Sequence, residues 1–223
     1  MKTTIFFSGV FLALLTSAVV LPAQPGQAPT VKNPPVNVEV MFSNRGTAFQ
    51  MLVNKKTQSM SRVGFFSVTN LLGQWDSRQV SDHMTQGSLT YELLKGLSLA
   101  GGFHLTPATG FRPSAALMYG YSNPNLTLVV NPRADLVKNG ALESLCIIEY
   151  KPAIGKLLRA YSRVQGLYVY LPKADAHARS YLMLRAGLLY KEFNFGLGAN
   201  LDRYGPLKLQ KNSFGGFFSM RLL

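Results

Sequence analysis

Residues 179–202, RSYLMLRAGLLYKEFNFGLGANLD, decide the fold because apolar and polar side chains alternate along them. In the first half nearly every second residue is apolar, whereas Arg179, Arg185 and Lys191 occupy the alternate positions. From Phe193 onward, Phe and Leu alternate with Asn and Gly. Successive side chains of a β-strand point to opposite faces. The alternation therefore predicts two strands, each with one apolar face and one polar face.

The same alternation recurs through most of the chain and predicts about twelve strands, or ten if the first hairpin lies outside the barrel. The predicted strands are residues 36–44, 46–54, 61–72, 87–95, 96–106, 110–122, 124–131, 140–151, 156–171, 178–191, 192–203 and 212–223. After residue 23 no run of about 18 apolar residues occurs that would form a transmembrane helix. Only helices and closed barrels satisfy the backbone inside lipid. The predicted fold class is all-β, an antiparallel up-and-down transmembrane β-barrel.

The connections between the predicted strands alternate in length from the third onward. Short ones are expected at residues 95–96, 123–124, 152–155 and 191–192, and longer ones at 73–86, 107–109, 132–139, 172–177 and 204–211. The first two connections break the rule. Short turns at one end and longer loops at the other are typical of outer-membrane barrels, in which the short turns face the periplasm. An even strand count places both termini at that end.

The N-terminal segment predicts export. Residues 1–23 combine a basic start at Lys2 with a short apolar core, as a secretory signal peptide does. A membrane-anchoring helix is the alternative, but the apolar run is shorter than the roughly 20 residues of a span, and Pro22 ends it. Residues 24–35 are polar and rich in Pro, which predicts a flexible lead-in. Residues 36–223 form the predicted barrel domain.

Several runs resemble small outer-membrane β-barrel proteins of Gram-negative bacteria. These runs are GFRPSAALMYGYS at 110–122, LYVYLP at 167–172 and FNFGLGANLDRYG at 193–205, which are similar to uncharacterised barrel proteins of Bacteroidota. The closing run SFGGFFSMRLL at 213–223 resembles the last strand of such barrels, although it ends in Leu223 rather than an aromatic residue. The resemblance implies an outer-membrane location. It contains no motif of an activity, so no functional residues are carried over.

A secreted β-sandwich or a lipocalin-like barrel is the soluble alternative, since periodicity does not tell inside from outside. Three features favour the membrane: only 15% of residues are charged, the mixed face is rich in Gly, Ser and Asn, and aromatic residues cluster near strand ends. These aromatic residues are Tyr119, Tyr121, Tyr168, Tyr170, Tyr190 and Phe193.

Positive charge is the second strong feature, with 23 Lys and Arg against 10 Asp and Glu and a formal net charge of +13. Such an excess first suggests a nucleic acid or an anionic surface as partner. The alternation places much of it opposite the apolar face, which in a barrel means inside the lumen. The charged residues predicted to face the lumen are Glu92, Glu143, Glu149, Lys151, Arg159, Arg163, Arg179, Arg185, Lys191 and Arg221.

Two interpretations of this lumen stay open. Arg–Glu pairs and hydrogen bonds fill it, because unpaired buried charge is costly. Alternatively it forms a narrow anion-preferring pore or binding cavity. Eight strands leave an interior that side chains just fill, whereas 16–18 strands leave a channel, and twelve lies between. We favour the filled lumen.

Other basic residues are predicted in the longer loops and would face outward: Arg78, Arg133, Lys138, Lys173, Arg203, Lys208 and Lys211. Outer-membrane lipid is the expected partner. Lipopolysaccharide phosphate is a candidate for the loop bases, with solvated charge as the plainer explanation. An envelope protein is a further candidate partner. Nucleic acid is excluded, since the chain has no basic helix, no recognition motif and no cytoplasmic exposure.

The three histidines are the candidate general bases of an enzyme. His83 is predicted in the loop at 73–86, His104 on the polar face of a strand, and His177 in a short loop. No G-x-S-x-G motif and no metal-spaced His pair occurs, and the serines match no lipid-hydrolysing pattern. Cys146 shares the apolar face of its strand and is interpreted as a small apolar residue. No catalytic residue, metal or cofactor is predicted.

The leading functional hypothesis is a non-enzymatic outer-membrane β-barrel with a polar, basic lumen, either structural or an accessory subunit of an envelope complex. A small anion-preferring pore is the alternative. A lipid-modifying barrel enzyme is the third hypothesis.

Overall fold

The chain forms twelve β-strands in a computed structural model that describes residues 33–76 and 80–222. The strands are β1 (Val36–Ser43), β2 (Gly46–Lys56), β3 (Val63–Gln74), β4 (Val80–Leu94), β5 (Leu97–Thr106), β6 (Gly110–Ser122), β7 (Leu126–Asp135), β8 (Leu142–Tyr150), β9 (Leu158–Leu171), β10 (Ala176–Tyr190), β11 (Phe193–Tyr204) and β12 (Leu209–Leu222). A 3₁₀ turn, Pro172–Ala174, lies between β9 and β10.

Each strand pairs antiparallel with the strands before and after it, and β1 also pairs with β12, which closes the barrel. This confirms the predicted up-and-down barrel, with twelve strands rather than ten. The closing seam requires glycine in one place. A Cβ atom at Gly215 would lie 1.8 Å from the carbonyl oxygen of Phe42, so only glycine allows β12 to approach β1 this closely.

Two strands extend into segments predicted as loops. β4 begins at Val80 rather than at residue 87, and β7 continues to Asp135 rather than ending at residue 131. The predicted long loop at 73–86 is therefore mostly strand. Polar residues such as Asp82 and Arg133 suit these strands because their side chains face inward, where they are paired.

The alternation of short and long connections, predicted from the third onward, holds only in part: the β4–β5 and β10–β11 turns cover only residues 95–96 and 191–192, as predicted, whereas others differ. We call the barrel end that holds both termini the terminal end, and the opposite end the far end. The β8–β9 connection covers residues 151–157 at the terminal end, where a minimal turn was expected. The β1–β2 turn at the far end covers only residues 44 and 45, as the sequence showed when it excepted the first two connections from the rule. Loop length therefore does not distinguish the two ends of this barrel.

The two faces of the wall differ in chemistry. The outer face exposes large apolar side chains, among them Leu197, Leu89 and Phe218, which are 75%, 67% and 48% exposed. The inner face buries polar side chains such as Asn131 and Gln165, both fully buried. A soluble β-barrel has the reverse arrangement, with a polar outer face and an apolar inside.

Aromatic side chains on the outer face gather near both ends of the strands. Those near the terminal end are Tyr91, Tyr119, Tyr121, Tyr150, Tyr190 and Phe193, and those near the far end are Phe42, Phe111, Tyr168 and Phe214. Trp75 adjoins the far-end group, and its indole N–H donates to the backbone oxygen of Ser43 at 2.8 Å. This distribution matches the paired aromatic girdles of membrane barrels.

The predicted signal peptide and most of the predicted lead-in lie outside the described residues. Of the lead-in, residues 33–35 are described. The Asn33 amide donates to the backbone oxygen of Lys56 at 2.8 Å and accepts from its backbone N–H at 2.6 Å. The chain therefore enters the barrel at a fixed position beside β2. Within the described ranges, no helix has the length and apolar character that crossing a membrane requires.

Candidate functional site

The lumen is the candidate site because the inner face of the barrel concentrates the charged side chains. In the described part of the chain, the carboxylates in ion pairs are Glu39, Asp82, Glu92, Asp135, Glu143, Glu149 and Asp202. Each has an Arg or Lys nitrogen within 3.3 Å. These pairs lie at different heights along the barrel axis.

A central cluster of Glu39, Arg163 and Arg185 spans part of the lumen. Glu39 on β1 receives Arg163 from β9 at 2.8 Å and Arg185 from β10 at 2.8 Å. All three side chains are only 2% exposed. Strands β11 and β12 separate β10 from β1 in the wall. These contacts therefore cross the lumen and do not join neighbouring strands. Arg185 also donates to the Asn200 side-chain oxygen at 2.8 Å.

A far-end cluster of Asp82, Arg179, Asp202 and Tyr204 crosses the full width of the barrel. Arg179 on β10 contacts Asp82 on β4 at 2.9 Å and Asp202 on β11 at 3.1 Å. The Tyr204 hydroxyl donates to Asp82 at 3.1 Å. Strands β4 and β10 are half the circumference apart in the strand order, so the Arg179–Asp82 pair joins opposite walls.

A second buried network lies on β7 and β8. Arg133 bonds both Asp135 and Glu143, the latter at 2.9 Å, and Arg112 adds a contact to Asp135 at 3.3 Å. Arg133 was predicted in an outward-facing loop, but it is 3% exposed on the inner face. The reason is the extension of β7 to Asp135.

Polar pairs also line the terminal end. Lys56 contacts Glu92 at 2.6 Å, and Lys151 contacts Glu149 at 2.8 Å, where the Tyr161 hydroxyl also donates to Glu149 at 3.0 Å. These side chains are more exposed than those of the central cluster.

The remaining predicted lumen residues stabilise turns at the terminal end. The Arg159 guanidinium donates to the backbone oxygens of Lys151 and Pro124, and that of Arg221 donates to the backbone oxygen of Lys191. Lys191 was predicted on the inner face of a strand. It lies instead in the β10–β11 turn, exposed, with a left-handed backbone and its amine 5.5 Å from the Tyr190 ring centroid. A turn residue has no inner face to occupy.

Apolar side chains fill much of the rest of the interior, which the sequence did not reveal. The buried apolar cluster contains Phe66, Val68, Met84, Met118, Val129, Leu145, Ile147, Leu167 and Tyr181. Leu145 and Ile147 lie between Glu143 and Glu149 on the inner face of β8, so this face carries both charged and apolar residues. Apolar and charged side chains therefore share the same strands of the inner face, and a second apolar cluster of Met41, Tyr161, Leu189 and Phe217 lies on the strands that carry Glu39, Arg163 and Arg185 or beside them.

A small cavity lies between the central and far-end clusters. Its volume is about 50 Å³, and its polar lining includes Gln50, Asn70, Arg179, Arg185 and Asn200. A polar cavity of this size holds a few water molecules. It does not hold a sugar.

The three histidines occupy different places. His83 lies in β4 opposite Leu71, on the outer face, rather than in a loop. His104 is 8% exposed on the inner face of β5, opposite Arg112. His177 is at the start of β10, on the outer face, and its Nε2 lies 3.0 Å from the Ser180 hydroxyl. Cys146 lies on the outer parity of β8, between the exposed Leu142 and Ile148.

Comparison with known proteins bears on the fold. No protein-family model and no curated protein sequence matches the chain. The NanC porin matches with a TM-score of 0.50 and 12% identity, over 84% of this chain and 100% of the porin. The KdgM porin matches with a TM-score of 0.47 and 13% identity, over 84% of this chain and 99% of the porin. Likeness at such low identity shows the closed barrel fold alone, and it gives no support to a closer similarity to Bacteroidota barrels.

Proposed function

We propose that the chain is an integral outer-membrane β-barrel that acts as a narrow, anion-preferring pore. The observation that carries the proposal is the division of the wall into an outer apolar face and an inner charged face. An exposed apolar surface of this extent is unfavourable in water but stable in lipid. Export through the predicted signal peptide is part of the proposal.

The polar side chains of the lumen supply the path. It runs from the far-end cluster through the 50 Å³ cavity to the central cluster, past Arg179 and Arg185. Since the inner carboxylates are already paired with Arg or Lys, an entering anion meets guanidinium groups and amides rather than free negative charge.

The charge at the mouths supports the anion preference. Basic residues in connections or at strand ends are Arg45, Lys138, Lys173, Lys208 and Lys211 at the far end, and Lys55, Arg62, Lys95, Lys156 and Lys191 at the terminal end. Among the described residues, Asp76 and Asp175 at the far end and Glu192 at the terminal end are the acidic residues of these connections, so both mouths keep an excess of positive charge. Such an excess raises the local concentration of anions.

Two constrictions limit what passes. The Arg179–Asp82 pair joins opposite walls, and Glu39 draws two arginines across the lumen. The apolar cluster packs among these charged groups and fills further lumen volume. We therefore expect low conductance for small anions, and no passage of oligosaccharides.

The apolar cluster favours a second candidate, a non-conducting barrel whose lumen is packed shut. The accessory-subunit hypothesis adds an envelope partner to this candidate, but neither the fold nor the comparisons support such a partner.

Planar-bilayer recording of the purified full-length protein tests the proposal. A small, stable current with a reversal potential set by the anion gradient is expected. The absence of current above the bare bilayer, with the protein inserted and heat-modifiable on detergent gels, would establish the non-conducting barrel instead.

A further inference from the structure

A β-bulge at the far end of β10 brings a histidine and a serine to the same face. The pairing with β9 shifts between His177 and Arg179, so Ala178 is an extra residue. In a regular strand, residues three apart point to opposite faces. The extra residue moves His177 to the outer face, where Ser180 also lies, opposite Tyr168 of β9. The His177 ring packs against the exposed Tyr168 ring at 5.5 Å.

The hydrogen bonds of His177 determine its tautomer. Its Nδ1 lies 2.8 Å from the backbone oxygen of Gly205, in the β11–β12 turn. A carbonyl oxygen only accepts, so in the neutral imidazole Nδ1 carries the proton and Nε2 has a free lone pair. The Ser180 hydroxyl, 3.0 Å away, therefore donates to Nε2. A serine that donates to an oriented imidazole is the arrangement of an activated nucleophile and its base.

The turn that holds His177 is itself held to the bulge. The Gly205 N–H donates to the backbone oxygen of Ala178 at 2.7 Å, while its own oxygen receives His177. The bulge and the turn thus fix the imidazole from both sides. In a Ser-His-Asp triad a carboxylate orients the imidazole through Nδ1; here the backbone oxygen of Gly205 takes that place.

Arg203 lies directly beside Ser180. It is the cross-strand partner of Ser180 on β11. The Cβ atoms of residues paired in this way are about 5 Å apart. One guanidinium nitrogen of Arg203 donates to the Asn212 side chain at 2.9 Å and to the Asp202 backbone oxygen at 3.0 Å. A guanidinium has five N–H donors, so others are left for an anion.

An apolar groove lies further along β10 on the same outer face. Its volume is about 560 Å³, and its lining includes Leu184, Ala186, Leu197, Ala199 and Phe214. Leu184 is four residues along β10 from Ser180, a rise of about 13 Å at 3.3 Å per residue. The small residues Ala186 and Ala199 deepen the surface between larger side chains. The groove suits an extended hydrocarbon chain whose polar end reaches Ser180.

We propose that Ser180 and His177 form an ester-hydrolysing site that acts on an acyl chain of an anionic, phosphate-bearing membrane lipid. The acyl chain lies in the groove, and Arg203 binds the phosphate. The site is separate from the lumen, and it rests on the proposed membrane location only for the access of its substrate.

The reaction proceeds in two steps. The Ser180 Oγ attacks the ester carbonyl carbon as its proton passes to Nε2 of His177; the bond to the leaving alcohol then breaks, and Nε2 returns the proton to the alcohol oxygen. The acyl group is left as an ester on Ser180. Water next attacks that carbonyl and gives a proton to Nε2, the fatty acid leaves, and the proton returns to Ser180.

Labelling with a soluble fluorophosphonate tests the nucleophile without any lipid. The full-length wild type should be labelled, whereas Ser180→Ala should not. Ser162→Ala is the matched control, because Ser162 is an exposed outer-face serine of β9 without a histidine contact; it should be labelled like the wild type. No labelling of the wild type, or equal labelling of Ser180→Ala, would overturn the site and leave the pore proposal intact.

Hydrolysis of phosphatidylglycerol vesicles, compared with a neutral nitrophenyl palmitate ester, tests the substrate class. His177→Phe should lower kcat for both about 10²- to 10⁴-fold. Arg203→Gln should raise KM for phosphatidylglycerol and leave the neutral ester unchanged, and Ala199→Phe should shift the preference to shorter acyl chains. If Arg203→Gln affects both esters equally, the lipid assignment fails. Heat-modifiable migration of every variant verifies the fold.

Discussion

Replacing Glu39 by glutamine removes the one carboxylate that holds Arg163 and Arg185 together. Both arginines contact it at 2.8 Å, and all three side chains are 2% exposed. A glutamine of the same shape leaves the two guanidinium charges close together in a poorly hydrated interior. We expect the variant to be strongly destabilised and its lumen to be wider.

The size of the effect follows from burial. Removal of one partner of a buried ion pair costs about 3–5 kcal/mol. The glutamine oxygen still accepts one hydrogen bond, so the lower end, about 3 kcal/mol, is expected. Glu92→Gln is the matched control, since Glu92 pairs with Lys56 at 2.6 Å but the two side chains are 20% and 38% exposed. An exposed pair contributes about 0–1 kcal/mol.

The assay is urea unfolding of the barrel in lipid vesicles. The folded fraction at each urea concentration is measured from heat-modifiable migration on gels. The two variants should differ by at least about 2 kcal/mol, or more than tenfold in the unfolding equilibrium constant. Adding Arg185→Gln to Glu39→Gln should restore part of the loss, because one uncompensated charge disappears. In planar bilayers, Glu39→Gln should conduct more and prefer anions more strongly than Glu92→Gln.

Equal unfolding free energies for Glu39→Gln and Glu92→Gln would refute the reasoning. That result would mean that water reaches the central cluster as freely as the terminal end. The Glu39 contacts would then be weak surface pairs and not a constriction.

Three further changes test the far end, the outer face and the seam. Asp82→Asn should raise single-channel conductance, because Arg179 loses its contact with the opposite wall, with the wild-type current as reference. Leu197→Arg, on the outer face at 75% exposure, should destabilise the barrel in vesicles by about 2–4 kcal/mol, whereas Leu207→Arg in the β11–β12 turn should leave urea unfolding unchanged. Gly215→Ala should abolish heat-modifiable folding because its Cβ atom meets the Phe42 backbone, whereas Gly101→Ala, which has open space around it, should fold.

The alternation of side chains predicted the strand number and the closed barrel because period two follows directly from the pleat of a strand. The alternation did not reveal strands in segments where the residues of both faces are polar. In β4, residues 80–86 are mostly polar, so the segment resembles a loop, and Asp82 was not proposed as a lumen residue. The inward direction of such residues depends on the neighbouring strands, which the local sequence does not contain.

The sequence also did not show which charged residues form ion pairs across the lumen. Parity assigned Arg163, Arg179 and Arg185 to one face, but it gave neither their heights nor the strands that they meet. Glu39 is 124 residues from Arg163 and 146 from Arg185. Their contact depends on the register of the intervening strands and on the closure of β12 onto β1, since an offset of two residues in any pairing would preserve every face yet separate the charges.

The β10 bulge shows a different limit, because the sequence placed His177 in a loop, and parity counted along the observed strand would also have misplaced it. Counted along an unbroken strand, His177 and Ser180 point to opposite faces, and no serine–histidine contact is expected. One extra residue at Ala178 places them on the same face. Bulges concentrate beside functional sites because they redirect a side chain while the rest of the ladder stays paired. The contact between His177 and Ser180 is therefore of the kind that a bulge creates and that strand periodicity does not predict. The outer face of β10 is where a second activity of this barrel should be sought.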